Sequence, residues 1–166
     1  MGDLKLRSSD IKNFILSFDR KCKMRTVEVC AVNELPFLLS KRIIPSVFVV
    51  NTDPNFRAGS HWVVIHIPNN TVANFFDPLG FPPSFYNYRI LKFLTSNEDS
   101  SFKYFYSNTA HQPDNSSACG FYCCLYVKLV LMGMRSLKDI SDTFSSLSET
   151  EVVERVVTQQ PVASRE

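Results

Sequence analysis

The sequence predicts an α+β fold in which a sheet is packed by one buried helix and by flanking helices. Three observations predict it. Short β-branched and aromatic runs crowd the middle of the chain, residues 119–132 are almost continuously apolar, and helical patterns with capping residues lie at both ends. With 166 residues, 45% of them apolar, the chain has the length for one compact domain over 1–166 and little for a second.

Ile11, Phe14, Ile15 and Phe18 recur at helical spacing, and Ser9 or Asp10 stands where a cap belongs. Residues 34–40 suit a second short helical segment, ended at Ile44-Pro45 because proline disfavours helical geometry in the residue before it. Residues 46–50 (SVFVV) read as a buried strand. Residues 61–67 (HWVVIHI) and 71–76 (TVANFF) read as a hairpin punctuated by Pro68-Asn69-Asn70, and Asp77-Pro78-Leu79-Gly80 has the chemistry of a type I turn. Pro82-Pro83-Ser84 opens a helix running to about residue 94, and residues 102–106 alternate as a further strand. Residues 119–132 form the buried helix, too short for a bilayer and stopped by Gly133. Ser136 with Asp139 and Ser148 with Glu151 have capping-box spacing and predict two more helices, the last with a stripe of Val152, Val153, Val156 and Val157. Pro161 ends it and leaves 161–166 as a frayed tail.

Eighteen basic against sixteen acidic residues give a net charge of +2, too slight to draw nucleic acid or a membrane by charge alone. The one basic run, Arg20, Lys21, Lys23 and Arg25, reads as a solvated loop. Five cysteines, three of them at 119, 123 and 124, do not resemble a secreted disulfide framework and point to a reducing, intracellular compartment. The first residues carry no apolar signal segment, and Leu6 stands where a myristoylation signal needs Ser or Thr. A glycan on the sequon Asn115-Ser116-Ser117 would obstruct Cys119, which points the same way.

Cys119 is the candidate nucleophile. A thiol attacks as thiolate, and a helix N-terminus or an imidazolium beside it favours that form. Asn115, Ser116 and Ser117 are all capable caps, so whichever is used, Cys119 falls in the first turn. Cys123 and Cys124 lie a turn deeper, as ordinary buried thiols. Gly120 costs about 1 kcal/mol of helix propensity and removes a side chain beside the sulfur, as an approaching substrate would require. Gln112 offers an amide donor that, with the Cys119 backbone N–H, makes a two-donor oxyanion hole. Of the three histidines, His66 falls on the strand face opposite His61, and His111 belongs to surface or rim. His61 is the candidate base. A three-residue turn at Pro68-Asn69-Asn70 pairs His61 directly with Asp77, so that the carboxylate can hold one imidazole tautomer; a two-residue turn would put Asp77 on the Trp62 face. His61, Asp77, Gln112 and Cys119 together supply the parts of cysteine-type acyl transfer.

Gly59-Ser60-His61-Trp62, Phe76-Asp77-Pro78-Leu79-Gly80-Phe81 and the run from Gln112-Pro113 through Cys119-Gly120-Phe121-Tyr122-Cys123-Cys124 resemble the adenovirus-type (adenain-like) maturation protease, within the papain-like group that includes the proteases of ubiquitin-like modifiers. Similar genes occur in large virus-like DNA transposons. The resemblance covers residues 59–132 well and the flanks loosely. It implies a papain-like fold with the Cys119 helix packed on a central mixed or antiparallel sheet bearing His61 and Asp77, with Trp62 beside the imidazole. It also implies a thiol endopeptidase without a required cofactor, cutting structural precursor proteins near small residues, often glycine. The family frequently has Glu at the position of Asp77. It is also activated by DNA and by a peptide joined through a disulfide, and no cysteine lies between Cys30 and Cys119 to take that bond. The rival readings are an isopeptidase acting on ubiquitin-like proteins and a catalytically silent binding module. A metal site of Cys119, Cys123 and a histidine lacks a second ligand pair.

Overall fold

In the computed structural model, which describes residues 3–19, 26–35, 46–95 and 103–158, the β-rich runs assemble into a five-stranded mixed sheet. Its strands are β1 (Thr26–Ala31), β2 (Ser46–Asn51), β3 (Trp62–Asn69), β4 (Val72–Phe76) and β5 (Lys103–Tyr106), and their spatial order is their chain order. The outer pairs β1–β2 and β4–β5 are parallel, and the inner pairs β2–β3 and β3–β4 are antiparallel. Strand side chains alternate between two faces. Val47, Val49, Trp62, Val64 and Phe76 meet the helices α1 (Ser8–Asp19) and α3 (Cys119–Leu131), with α4 (Leu137–Ser145) and α5 (Glu149–Val157) completing that layer. Phe48, Val50, Val63, Ile65 and Phe75 face the other way, against Ile90, Phe93 and Leu94 of α2 (Tyr88–Thr95). Burial on both faces explains why β2 and the body of β3 read as unbroken apolar runs.

Helix α3 packs on the sheet at β3 and is flanked by α1 and α5, so eleven of its thirteen residues are buried and it lacks a polar face. Its end is the one expected: Gly133 takes φ +108°, its N–H bonds to the Val130 carbonyl at 3.0 Å, and the Met134 N–H reaches Leu129 at 3.0 Å. Ser136 and Ser148 cap α4 and α5, and Glu151 closes a full capping box.

Several expectations need correction. Strand β1 went unpredicted, because Thr26–Ala31 interrupts its valines with Glu28 and Cys30 and takes its geometry from pairing with β2. Neither Ser9 nor Asp10 caps α1, which starts at Ser8; Asp10 instead accepts the Arg7 N–H at 2.8 Å. A 3-10 turn at Val32–Glu34 opens just before the segment expected at 34–40, and the rest of that segment, Ile44-Pro45, the basic run and the tail after 158 lie outside the described residues. The helix expected from Pro82 is two pieces, a 3-10 turn at Pro83–Phe85 and then α2, separated where Asn87 accepts the Arg89 N–H at 3.1 Å.

The hairpin register also differs. Val64 faces Phe76, Ile65 faces Phe75 and His66 faces Asn74, two residues away from the predicted pairing, with an irregularity before Asn69 meets Val72. A shift of two preserves faces where a shift of one would invert them. His61 and Asp77 therefore stay on one side, meeting diagonally from just outside the strand ends rather than as a facing pair.

Beyond β4 the turn closes with the Gly80 N–H on the Asp77 carbonyl at 2.9 Å, while the Pro78 carbonyl accepts the N–H groups of His111 and Gln112 at 2.8 and 2.9 Å. Gly80 has φ +79°, and a Cβ there would stand 2.8 Å from the backbone of Thr109 and of Ala110. Gly80→Ala should therefore cost about 1–3 kcal/mol of unfolding free energy in urea titrations, through both the left-handed backbone and the displaced segment 108–110.

Candidate active site

His61 ends the loop before β3, where its carbonyl accepts the Thr52 N–H at 2.9 Å, and Asp77 is the first residue after β4. Their side chains meet with His61 Nε2 at 2.6 Å from Asp77 Oδ1. The carboxylate is held on every side. Oδ1 also accepts the Leu79 N–H at 2.9 Å, and Oδ2 accepts the Phe81 N–H at 3.1 Å and the Tyr86 hydroxyl. A buried carboxylate saturated in this way keeps its orientation, so the imidazole bound to it has one orientation too. The Tyr86 ring stacks on His61 at 5.6 Å between centroids.

Cys119 is the first residue of α3 and is 6% exposed, on the wall of a cleft of about 610 Å³ that His61, Trp62 and Gln112 also line. The cap residue is Ala118, which has no side-chain acceptor, rather than Asn115, Ser116 or Ser117; Ser116 Oγ instead accepts the Ala118 N–H at 3.0 Å. The first backbone N–H groups of α3 thus lack intrahelical acceptors beside the sulfur. With Nε2 on Asp77, Nδ1 is the ring nitrogen left for Cys119. Burial alone would lower the His61 pKa, but hydrogen bonds to Asp77 and Cys119, with the charges of both, outweigh it and raise it to about 9. The imidazolium is the stable form at neutral pH.

The remaining described cysteines sit differently. Burial pushes Cys30 and Cys124 up to about 12 and Cys123 well above the ordinary thiol value. His66 is buried against the Tyr126 hydroxyl at 3.2 Å, and burial, then Arg135, lowers it to about 4. His111, expected at surface or rim, is half-buried: its Nε2 lies 3.1 Å from Ser141 Oγ and its ring stacks on Phe76.

Gln112 is buried on the cleft wall. Its amide donates one hydrogen to the Ser116 carbonyl at 2.8 Å, and its Oε1 has no hydrogen-bond partner among the described residues. Two supporting residues behave differently from expectation. Gly120 makes room for the chain itself, since a Cβ there would lie 2.9 Å from Leu6 Cβ. Trp62 donates its indole N–H to the Leu6 carbonyl at 3.1 Å, and the ring stacked on His61 is that of Tyr86. Residues 3–7 form a strap along this wall: Lys5 Nζ reaches the Gly59 carbonyl at 3.2 Å, and Ser117 Oγ donates to Asp3 at 3.0 Å. Sequence reasoning missed both the strap and Tyr86. Asn87, a good cap, was the one available signal that the chain breaks beside Tyr86.

The adenovirus endoprotease family model matches residues 32–148, which include the loop of His61, the turn of Asp77 and the whole of α3. The chain belongs to the adenovirus endoprotease family. Relatives of the chain include the protease of Bovine adenovirus C serotype 10, 33% identical over 90 residues that cover 48% of this chain and 45% of that protein. The protease of Frog adenovirus 1 is 35% identical over 92 residues, covering 50% of this chain and 45% of its own length. The match thus spans less than half the length of these relatives. Among solved structures, the central domain of an uncharacterized Legionella pneumophila protein superposes with a TM-score of 0.57 at 18% identity, covering 95% of this chain and 94% of that one. AvrA, determined with IP6 and CoA, superposes with a TM-score of 0.54 at 17% identity, covering 93% of this chain and 58% of its own. The fold is accordingly α+β and papain-like, with a helix that opens on a cysteine packed against a mixed sheet. Among the described residues no helix is long and apolar enough to cross a membrane.

Brief treatment with iodoacetamide at pH 7, read by mass spectrometry after digestion, should alkylate Cys119 at least about 10-fold faster than Cys30, Cys123 or Cys124, whose burial disfavours the reactive thiolate.

Proposed function

We propose that this chain is a cysteine endopeptidase that cleaves viral or virus-like structural precursor proteins at bonds near small residues, often glycine. Cys119 is the nucleophile and His61 the general acid and base. Asp77 orients the ring, and Gln112 with the Cys119 backbone N–H receives the oxyanion. The observation that carries the reading is the buried bond of Asp77 to the His61 ring, on the wall of a cleft that Cys119 lines from the N-terminus of α3.

The Cys119 thiolate adds to the carbonyl carbon, and the negative oxygen turns towards the two donors. The imidazolium gives its Nδ1 proton to the departing amine, the C–N bond breaks, and the acyl group stays on sulfur. The now neutral ring takes a proton from water as the hydroxide adds to the thioester, the C–S bond breaks, and the acid leaves with the thiolate and imidazolium restored. Every group used is a side chain or backbone N–H of this chain, so no cofactor is invoked.

Cys119→Ala and Cys119→Ser should each lower kcat/KM on a precursor peptide by more than about 10⁴-fold while leaving the urea midpoint in place. Persistence of the wild-type rate in either variant would refute the assignment. Activity on structural precursors but not on ubiquitin-like fusions distinguishes this reading from an isopeptidase. Because His61 titrates at about 9, kcat/KM should hold through neutral pH and fall above pH 9 as the imidazolium loses its proton. Asp77→Asn removes one hydrogen-bonded charge that raises that value, so it should move the alkaline limb to lower pH and cut kcat at least roughly 10-fold.

A further inference from the structure

One end of the cleft is aromatic. Phe81 and Phe85 stack at 4.2 Å between ring centroids with planes 12° apart, yet they remain 40% and 60% exposed. Both line the cleft that holds Cys119 and His61. They are carried by the machinery that fixes the imidazole. The Phe81 N–H and the Tyr86 hydroxyl share Asp77 Oδ2, and the Tyr86 ring meets Phe85 edge-on at 5.2 Å and lies against His61. Asp77 binds Nε2 of the imidazole, so the aromatic pair is tied to the His61 side of the cleft through Asp77 and Tyr86.

The chemistry gives that location a meaning, resting on the reading that Cys119 and His61 cleave a peptide bond. The acyl half of the substrate becomes bonded to Cys119, whereas the amine must depart beside the imidazolium that protonates it. The leaving peptide therefore continues along the His61 side of the cleft, the side to which Phe81 and Phe85 are tied. Two stacked rings held in place by hydrogen bonds lose little freedom when a side chain settles on them, and an open apolar surface continuous with a reaction cleft suits an apolar occupant. We propose that Phe81 and Phe85 form a subsite for an aliphatic or aromatic side chain within the first three residues after the cut.

The test uses peptides with one common acyl half and Leu, Phe, Gly or Glu at each of those three positions. The wild-type protein should favour the best Leu or Phe peptide over its Gly counterpart by about 5- to 10-fold in kcat/KM, mainly through KM. Phe81→Ala and Phe85→Ala should bring that ratio close to one, and Phe85→Leu should retain most of it. Phe56→Ala should keep it whole, because Phe56 is 79% exposed in a loop and does not line the cleft. Equal kcat/KM for all wild-type pairs, or a preference that survives both alanine variants, overturns the proposal. A coumarin amide of the acyl half, which has no leaving peptide, tests the peptidase reading alone. Fluorescence anisotropy of the same peptides on the Cys119→Ala protein tests the subsite without turnover. An apolar preference there that Phe85→Ala erases supports it, and equal binding overturns it.

Discussion

The bond between His61 and Asp77 organises this molecule's cleft, and it depends on how completely the carboxylate is enclosed. A buried charge with one partner would be a liability, but four donors converge on Asp77, two of them backbone N–H groups of the turn it begins. The same turn offers the Pro78 carbonyl to His111 and Gln112, so the imidazole and the amide beside the cleft are positioned by one five-residue stretch. Gly80 makes this possible, since a side chain there would collide with the backbone of 108–110.

Helix α3 supplies the other half. Burial on nearly all sides fixes its axis, and the sharp start after Ala118 exposes the first N–H groups to the cleft instead of to a side-chain cap. Capping by Ser or Asp would stabilise the helix by about 1 kcal/mol while occupying donors that the Cys119 end now presents openly. The strap of residues 3–7 closes this end from outside, with Leu6 seated where Gly120 has no side chain. Gly120 thus serves internal packing, a different use of the same missing Cβ from the one its neighbourhood suggested.

Much of this was readable in advance. The near-unbroken apolar run of α3, the β-branched runs of β2 to β4, the stop at Gly133 and the serine caps of α4 and α5 are local signals, each tied to a periodicity or a conformational preference. The contact of His61 with Asp77 was also anticipated, though from a register two residues off. It survived because strand faces repeat every second residue, so an even error still places both side chains together. Tyr86 was not legible, since its role depends on a break between two helical pieces and on the return of that segment to Asp77.

The residues alone determined the chemistry on offer: one cysteine at the start of an apolar helix, one histidine and one aspartate at neighbouring strand ends, and a glutamine upstream, because such types and spacings follow from local covalent geometry. Tertiary structure decided which atoms meet. The Nε2 bond to Asp77, the stacking of Tyr86, the Leu6 strap and the aromatic end of the cleft join segments far apart in the chain, and they arise from packing between layers that no window of sequence contains.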